Sequence, residues 1–496
     1  MENEFIVGLD IGTTKIACLI GKRAEDGKIK ILGYSCTKSI GVEHGVVRNI
    51  SLTAESVKKA IEAASQQANV KVDEVYVGVA GQHIKSIPSQ GIIMIPEDHK
   101  LISKEDVERL TREQNRVMLG PGDEIIHIFP QNYYVDGALL NNEISPVGVS
   151  GKQLKADFHI VTGNTQNICN IRDSVLAAGY KVKDLVLEPV ASSYSVLDER
   201  DKEAGVALVD IGGGTTDIAI FYDGIIRHTS VIPLAGQAIT SDIRRGCSIL
   251  PDQAESLKVK YGSCLPANER EGDVVSILGI RNQPPKEIGL KVLANIIKAR
   301  VQIIMEQVAY EINTAGYSGK NLSAGLVLTG GGASLKYIKE FASLITGMDT
   351  RTGLPSEHLV AESDAELAHP KYATGIGLVL YGIEHEEARL SARRAKGKTA
   401  EPEPANQDEQ PVAPEPKDQS IIDILNNMPG TKEKQVENTS TVQEPEPIKV
   451  EPVSSPTPKP KEDPEKPDDS KGTKKPSLMG KITEFMWKIV GDDDIK

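Results

Sequence analysis

Along residues 5–390 the apolar positions keep switching between two periods, and the switches lay out the elements. "EFIVGLDIG" reads as a buried strand, and "ACLIGKRAEDGKIKILGYS" as a hairpin turning at Asp26-Gly27. "NISLTAESVKKAIEAASQQAN" places Val57, Ala60, Ile61 and Ala64 on one face of a helix. "EVYVGVAG" (74–81) is another buried strand. "SKEDVERLTREQNRV" opens a helix with a capping box of Ser103 and Asp106. It lies in a region, about 83 to 162, that otherwise alternates as strands such as "IIHIFPQNYYVD" and "ADFHIVTG". The helix "TQNICNIRDSVLAAG" follows. Strands interleaved with helices predict an α/β protein rather than a helical bundle or a sandwich.

The pattern also repeats. "FIVGLDIGTTKIACLI" (5–20) and "GVALVDIGGGTTDIAIF" (205–221) share an apolar strand, an Asp, a small-residue turn and a second apolar strand. Each is followed by a further hairpin-like segment, "EDGKIKILGYS" and "YDGIIRHTSVI". Repeats about 200 residues apart predict two related lobes, not a solenoid.

Three successive glycines gain nothing for a packed strand, since each loses backbone entropy and packs no side chain. They suit a tight hairpin or a loop whose bare backbone approaches a phosphate, and the segment by itself fits both. "AGLVLTGGGASLKYI" adds a third cluster, a strand followed by Gly330, Gly331 and Gly332 and a helix expected from near Ser334. Amides at such a helix start favour an anionic or polar ligand, although a plain strand-to-helix turn reads the same way. Neither a GxxxxGK[ST] loop nor a GxGxxG fingerprint is present. Taken together, the two hairpins define a pocket in which the amides of Gly12, Thr13 and Thr14 and of Gly212, Gly213, Gly214 and Thr215 could cradle β- and γ-phosphates. Lys15 either adds a point charge there or faces solvent. Asp10 and Asp210 are placed to orient Mg²⁺ through waters, because that ion keeps much of its hydration shell.

Composition narrows the classes. The formal charge of −13 argues against a dedicated nucleic-acid binder. Five cysteines without a CxxC pair suit a reducing compartment, as small buried thiols. "MENEFIVGLD" is no secretory signal, and no apolar run reaches the length of a membrane span. Near residue 395 the chain changes character: 15 of its 28 prolines lie between Pro402 and Pro476, with no aromatic residue among them. Such a segment is expected to be disordered, with "SIIDILNNMPG" (420–430) either a docking motif or a chance cluster.

These residues resemble the superfamily of actin, Hsp70 and sugar-kinase ATPases. "DIGTTK" looks like its first phosphate motif, "VDIGGGTTD" its second, and "LTGGGASL", with Gly330 to Gly332 and Ala333, its adenosine motif. "LEPVASSYSVL" and "KYATGIGLVLYG" resemble its two connecting motifs, so the likeness runs from about 4 to 385 with five motifs in order. The resemblance implies ATP and Mg²⁺ as ligands and a water-positioning role for Glu188. Within the superfamily, the 83–162 insertion, "GVEHGVVRNI" and the acidic tail with its terminal segment are similar to the bacterial division family FtsA. A pilus-assembly scaffold of the PilM type is the alternative, and a sugar kinase a more distant one.

The expected organisation is then a two-lobed actin-like fold. A first lobe (1–82) holds the first hairpin, a small α+β subdomain (83–162) is inserted, and the first lobe resumes with its connecting helix (163–204). The second lobe opens with its hairpin (205–240), carries its own inserted subdomain (241–305) and closes at 390. A linker (395–475) and an amphipathic helix (476–490) follow. No phosphoryl-acceptor site is identifiable, so slow ATP turnover is expected; the resemblance implies self-association into filaments, docking of the C-terminal peptide of the tubulin-like FtsZ on 241–305, and recruitment of later division proteins. In "KVLANIIKARVQIIMEQVAYEI", Ile296, Ile297, Val301, Ile304 and Val308 read as core, and Lys291, Lys298 and Arg300 are candidates for an acidic peptide or adenine.

The terminal segment reads as an interfacial helix. At 100° per residue Leu478, Ile482, Phe485, Met486 and Ile489 share one face, with Lys481, Glu484 and Lys488 opposite. Lys474 and Lys475 add attraction to anionic lipids of roughly 1 kcal/mol each. Burying about five large apolar side chains supplies at most roughly 10 kcal/mol, so a single anchor binds reversibly and a filament carrying many binds firmly. Removing residues 477–496, or substituting Phe485→Glu together with Ile489→Glu, is expected to release the protein from membranes. A fluorescently tagged truncation that still sits at the membrane in cells lacking the full-length chain would overturn the assignment.

Overall fold

The computed structural model describes residues 5–96, 101–141, 145–279 and 284–398. The island at 420–430, most of the 395–475 linker and the 476–490 helix, with Leu478, Ile482, Phe485, Met486 and Ile489, lie outside the described residues.

The first lobe is built on β1 (Ile6–Ile11), β2 (Lys15–Arg23) and β3 (Ile29–Lys38), an antiparallel meander. Two short strands, β4 (Val42–Glu43) and β5 (Val46–Val47), lead into helix α1 (Ile50–Ala68), capped by the Asn49 side chain. Its Val57, Ala60, Ile61 and Ala64 are buried on one face, as the spacing predicts. β6 (Glu74–Val79) then pairs parallel with β1.

The chain next leaves the lobe for a four-stranded sheet of β7 (Lys85–Met94), β8 (Asp123–Val135), β9 (Ala138–Leu139) and β10 (Gln153–Asn164), in the order β7-β10-β8-β9. Helix α2 (Lys104–Glu113), with the capping box of Ser103 and Asp106, covers this sheet, its Leu110 in one core with Ile93, Leu154 and Phe158. The chain returns through α3 (Thr165–Ala177) to β11 (Lys181–Leu187), completing a first sheet in the order β11-β6-β1-β2-β3.

Helices α4 (Glu188–Val196) and α5 (Glu199–Ala204) lead to the second lobe. There β12 (Val206–Ile211), β13 (Thr216–Tyr222) and β14 (Ile225–Ile232) repeat the meander. Helices α6 (Gly236–Cys247) and α7 (Pro251–Tyr261), the hairpin β15 (Val274–Ile277) with β16 (Lys286–Gly289), and the long α8 (Leu290–Thr314) follow. On α8 Ile297, Val301, Ile304 and Val308 are fully buried and Ile296 packs at the edge of the core. β17 (Leu326–Thr329), α9 (Ile338–Thr346) and β18 (Thr350–Thr352) close a sheet in the order β14-β13-β12-β17-β18. The two five-stranded sheets therefore match strand for strand: an antiparallel meander followed by two parallel strands. The sequence repeat covers only the meander, because the parallel strands reach it through helical crossovers of different length.

One element differs from expectation. The helix after the third glycine cluster starts at Ile338, not near Ser334; residues Gly331–Ser334 form a single 3-10 turn. Lys336 is drawn off the helix path by backbone bonds to Gly262 and Cys264, at 3.2 and 2.9 Å, and Tyr337 turns through φ 63°. Of the five cysteines, Cys18, Cys247 and Cys264 are buried thiols, while Cys36 is exposed.

The final helix, α10 (Ala373–Lys398), crosses α4 between the lobes. At the crossing Gly377 lies directly against the Ala191 carbonyl, where no Cβ has room, and the Ser195 hydroxyl donates to the Ala373 carbonyl at 2.7 Å. Gly377→Ala must push two helices apart through rigid backbone, so a loss of about 3 kcal/mol is expected, the upper end for overpacking. Thermal unfolding of the full chain checks it: a melting temperature within 1 °C of wild type, roughly a few tenths of a kcal/mol, would contradict this packing.

Candidate functional site

The hairpin turns β1–β2 and β12–β13 face each other across the cleft between the lobes. Each is closed by a bond across its own turn, Gly12 N–H to the Lys15 carbonyl at 3.0 Å and Gly212 N–H to the Thr215 carbonyl at 2.9 Å. The tips touch. A Cβ on Gly213 would stand 2.5 Å from Thr14 Oγ1, and one on Gly214 would collide with Thr13 Oγ1. Gly213 and Gly214 are thus required by the first lobe's threonines.

Backbone pinning then fixes which way the second turn points. The Gly212 carbonyl accepts from Gly236 N–H at 3.1 Å and the Gly213 carbonyl from Gln237 N–H at 2.7 Å, both at the start of α6. The Gly214 carbonyl meets His44 Nδ1 at 3.3 Å. In a planar trans peptide the following N–H points opposite to the carbonyl. Three successive amides, of Gly213, Gly214 and Thr215, are therefore turned away from these pinned groups, and among the described residues none has a protein acceptor. Successive free amides in a turn can form an anion-binding nest.

Beneath the nest lies an acidic set. The cavity is lined by Asp10, Gly12, Thr13, Thr14, Lys15, Glu188, Asp210, Gly212, Gly213, Gly214, Thr215, Gly330 and Gly331, with Lys371 and Thr374. Two predicted positions are not brought to it. Gly332 packs on Ile211, and Ala333 belongs to the second-lobe core. Gly330, at φ 81°, lies against the Asp210 carboxylate and leaves no space for a Cβ. Lys15 lines the cavity with its ammonium paired to Asp10 at 2.5 Å. Burial would lower the Lys15 pKa, but the Asp10 carboxylate outweighs it and the net shift is upward.

Asp210 is held from both connecting helices: Ser192 Oγ of α4 donates to it at 2.8 Å and Thr374 Oγ1 of α10 at 3.2 Å. Sequence reasoning missed both, although small hydroxyl residues stand in each connecting motif. It also missed Asp217, which sits directly across the ladder from Asp210. Counting back from a four-residue turn would have found it. Asp217 Oδ2 accepts from Thr215 Oγ1 at 2.9 Å, while its buried Oδ1 has no partner. Burial first, and then the charge of Asp210, pushes the Asp217 carboxyl up. Burial, followed by Asp10, Asp217 and Asp210, holds Glu188 well above the usual carboxylate range, against the pull of Lys15. Asp210 is raised by burial despite its hydroxyl donors. Among the described residues no group of three or more His, Cys, Asp and Glu is spaced to ligate a metal directly.

The other candidates lie away from the cleft lining. Arg300 is taken up by Asp242 through two bonds, at 2.6 and 3.2 Å. Lys291 pairs with the exposed Glu271 at 2.6 Å, and Lys298 lies 6.0 Å over the Phe341 ring.

Two family models match the chain: "Cell division protein FtsA" over residues 207–377, and "SHS2 domain inserted in FTSA" over 81–162. The chain is 37% identical over 390 residues to the cell division protein FtsA of Pseudomonas aeruginosa, covering 79% of this chain and 92% of that protein. It is 33% identical over 389 residues to FtsA of Escherichia coli K12, covering 77% and 91%. Among solved structures it is similar in fold to the PilM-PilN type IV pilus biogenesis complex, with a TM-score of 0.57 at 16% identity, over 77% of this chain and 99% of that one.

The charge arrangement has a pH signature. A carboxyl whose folded pKa is raised binds its proton more tightly in the folded state. Its stabilisation is full at low pH and drains away as pH rises above the ordinary carboxylate value of about 4. Asp217→Asn keeps an acceptor for Thr215 and removes the charge facing Asp210. Without nucleotide or divalent cation, it should melt about 2–4 °C above wild type at pH 8 and no higher at pH 4.5. An identical melting profile for the two proteins across that range would show that Asp217 carries no such strain.

Proposed function

Because the chain belongs to the FtsA family of cell division proteins, we propose that it binds Mg·ATP between its lobes and associates with copies of itself. In this reading it fastens FtsZ filaments to the cytoplasmic face of the cell membrane at the division septum, where later division proteins join it. The observation that carries the nucleotide reading is the nest of three free amides opposite the Thr13-Thr14 turn. Anionic phosphate suits such amides, and the Gly330-Gly331 turn on the same cavity leaves bare backbone for the nucleoside side.

A hydrated Mg²⁺ fits the acidic set. Asp10, Asp210, Asp217 and Glu188 converge with Lys15 and Lys371 as the cations on the same cavity, and the orphaned Asp217 oxygen wants a donor that a metal-bound water supplies. Asp10 and Asp210 would hold the ion through its waters. When bound, it supplies the positive charge that lets these carboxylates ionise beside a polyphosphate. Glu188, at the first position of α4, would hold a water at the phosphate end of the cavity. Turnover is proposed to be slow, below the range of about 1–100 s⁻¹ usual for kinases, with the nucleotide setting lobe closure and self-association.

The FtsZ peptide is proposed to dock on the 241–305 surface. Lys291 and Lys298 are available for it, since an exposed ion pair such as Lys291–Glu271 contributes little and exchanges readily for a peptide carboxylate. Arg300 is tied to Asp242 and serves the fold. Among the described residues no helix is long and apolar enough to cross a membrane; the anchor is assigned to 477–490.

Two measurements test the reading. Calorimetry should show Mg·ATP binding that Asp210→Ala weakens at least about tenfold, the scale of one charged-group interaction; equal affinity would remove Asp210 from the site. With anionic vesicles, FtsZ should co-sediment only when the full-length chain is added. FtsZ pelleting equally well with a chain truncated at 476 would refute the tether.

A further inference from the structure

The three pinned carbonyls of the second turn differ in who pins them. Those of Gly212 and Gly213 are held within the second lobe, by α6, whereas that of Gly214 is held from the first lobe, by His44. Since a carbonyl only accepts, the His44 Nδ1 carries the proton. We infer that His44 is a positioning residue: it turns the Thr215 amide toward the terminal phosphate of a bound triphosphate, and does so only when the lobes are closed. The inference rests on the nucleotide reading above and adds to it a residue that tells ATP from ADP.

The loop is shaped to deliver this one contact. Gly41, His44 and Gly45 stand at φ 90°, 47° and 74°, a conformation that favours glycine and, among other residues, Asn, Asp and His. Gly41 closes the loop through its carbonyl, accepting from Arg48 and Asn49 at 2.8 and 3.1 Å, and β4 pairs with β5. Gly45 N–H donates to Thr13 Oγ1 at 3.0 Å, tying the loop to the first hairpin as His44 reaches the second. A Cβ on Gly214 would come within 3.0 Å of His44 Cα, so the approach is close on the backbone as well. Three segments thus meet at one point, and the Thr215 amide is the only one of the three nest amides whose direction depends on the opposite lobe. A diphosphate resting on the amides pinned by α6 has no need of it. A triphosphate spanning both hairpins does.

The experiment uses the full chain, with Mg·ATP and Mg·ADP affinities measured by calorimetry for wild type, His44→Gly and His44→Asn. Glycine keeps the left-handed backbone without strain and removes the ring. Asparagine tolerates the same φ and puts an amide N–H near the Nδ1 position. His44→Gly should bind Mg·ATP about three- to tenfold more weakly, with Mg·ADP affinity within twofold and the melting temperature of the apo protein unchanged. His44→Asn should recover most of the Mg·ATP affinity. Equal weakening for both nucleotides, no weakening, or failure of asparagine to restore binding would overturn the role of His44 while leaving the nucleotide site standing. A wild-type chain that binds no Mg·ATP would overturn both.

Discussion

The closing of two hairpin tips on one another is the constraint from which the site follows. Thr13 and Thr14 occupy the space that side chains at 214 and 213 would need, so only bare backbone can stand opposite them. Bare backbone brings its own requirement, because peptide carbonyls and amides need partners. Here the carbonyls are taken by α6 and by His44, and the amides are left over. A turn that gives up backbone entropy at three glycines gains a set of donors whose direction is set by bonds on the far side of each peptide plane. The geometry asks nothing of the side chains of the turn itself, beyond Thr215 holding Asp217 in place.

Charge makes the second half of the argument. Burying Asp210 and Asp217 opposite each other on one hairpin, with Glu188 and Asp10 nearby, costs the fold stability that an apolar pair would not. The first lobe avoids the cost, since Ala17 stands opposite Asp10. The two halves of the repeat therefore share a backbone plan and differ in electrostatics: one hairpin carries a salt-bridged Asp10–Lys15 pair, the other two facing carboxylates held by hydroxyl donors alone. That asymmetry is what a cation between them would relieve.

Much of this was legible in the sequence, and the exceptions share a cause. Strands and helices whose apolar period is local, such as β1, β12 and α1, lie where their patterns put them, and the repeated Asp and glycines marked the two turns that form the cavity. The partners of Asp210 did not show, because Thr374 is 164 residues away and only the α4–α10 crossing brings it near. The late start of α9 came from a bond between Lys336 and Gly262, which no propensity encodes. Lys15 read equally well as a phosphate contact or a surface residue; it lines the cavity, with its ammonium paired to Asp10. Arg300 was lost to Asp242 in the same way. Local pattern tells which groups a segment offers, and tertiary competition decides which are already spoken for.

The connecting helices join the site to the rest of the molecule. α4 opens with Glu188, whose carboxyl lines the cavity, and one turn later Ser192 holds Asp210. α10 holds the same carboxylate through Thr374 and, three residues on, meets α4 at Gly377 with no space between the backbones. A rotation of one lobe about this crossing cannot leave Asp210 where it was, because both of its hydroxyl donors ride on the helices that rotate. Close-packed backbones have few alternative arrangements, so the α4–α10 contact at Gly377 fixes where Ser192 and Thr374 stand over Asp210.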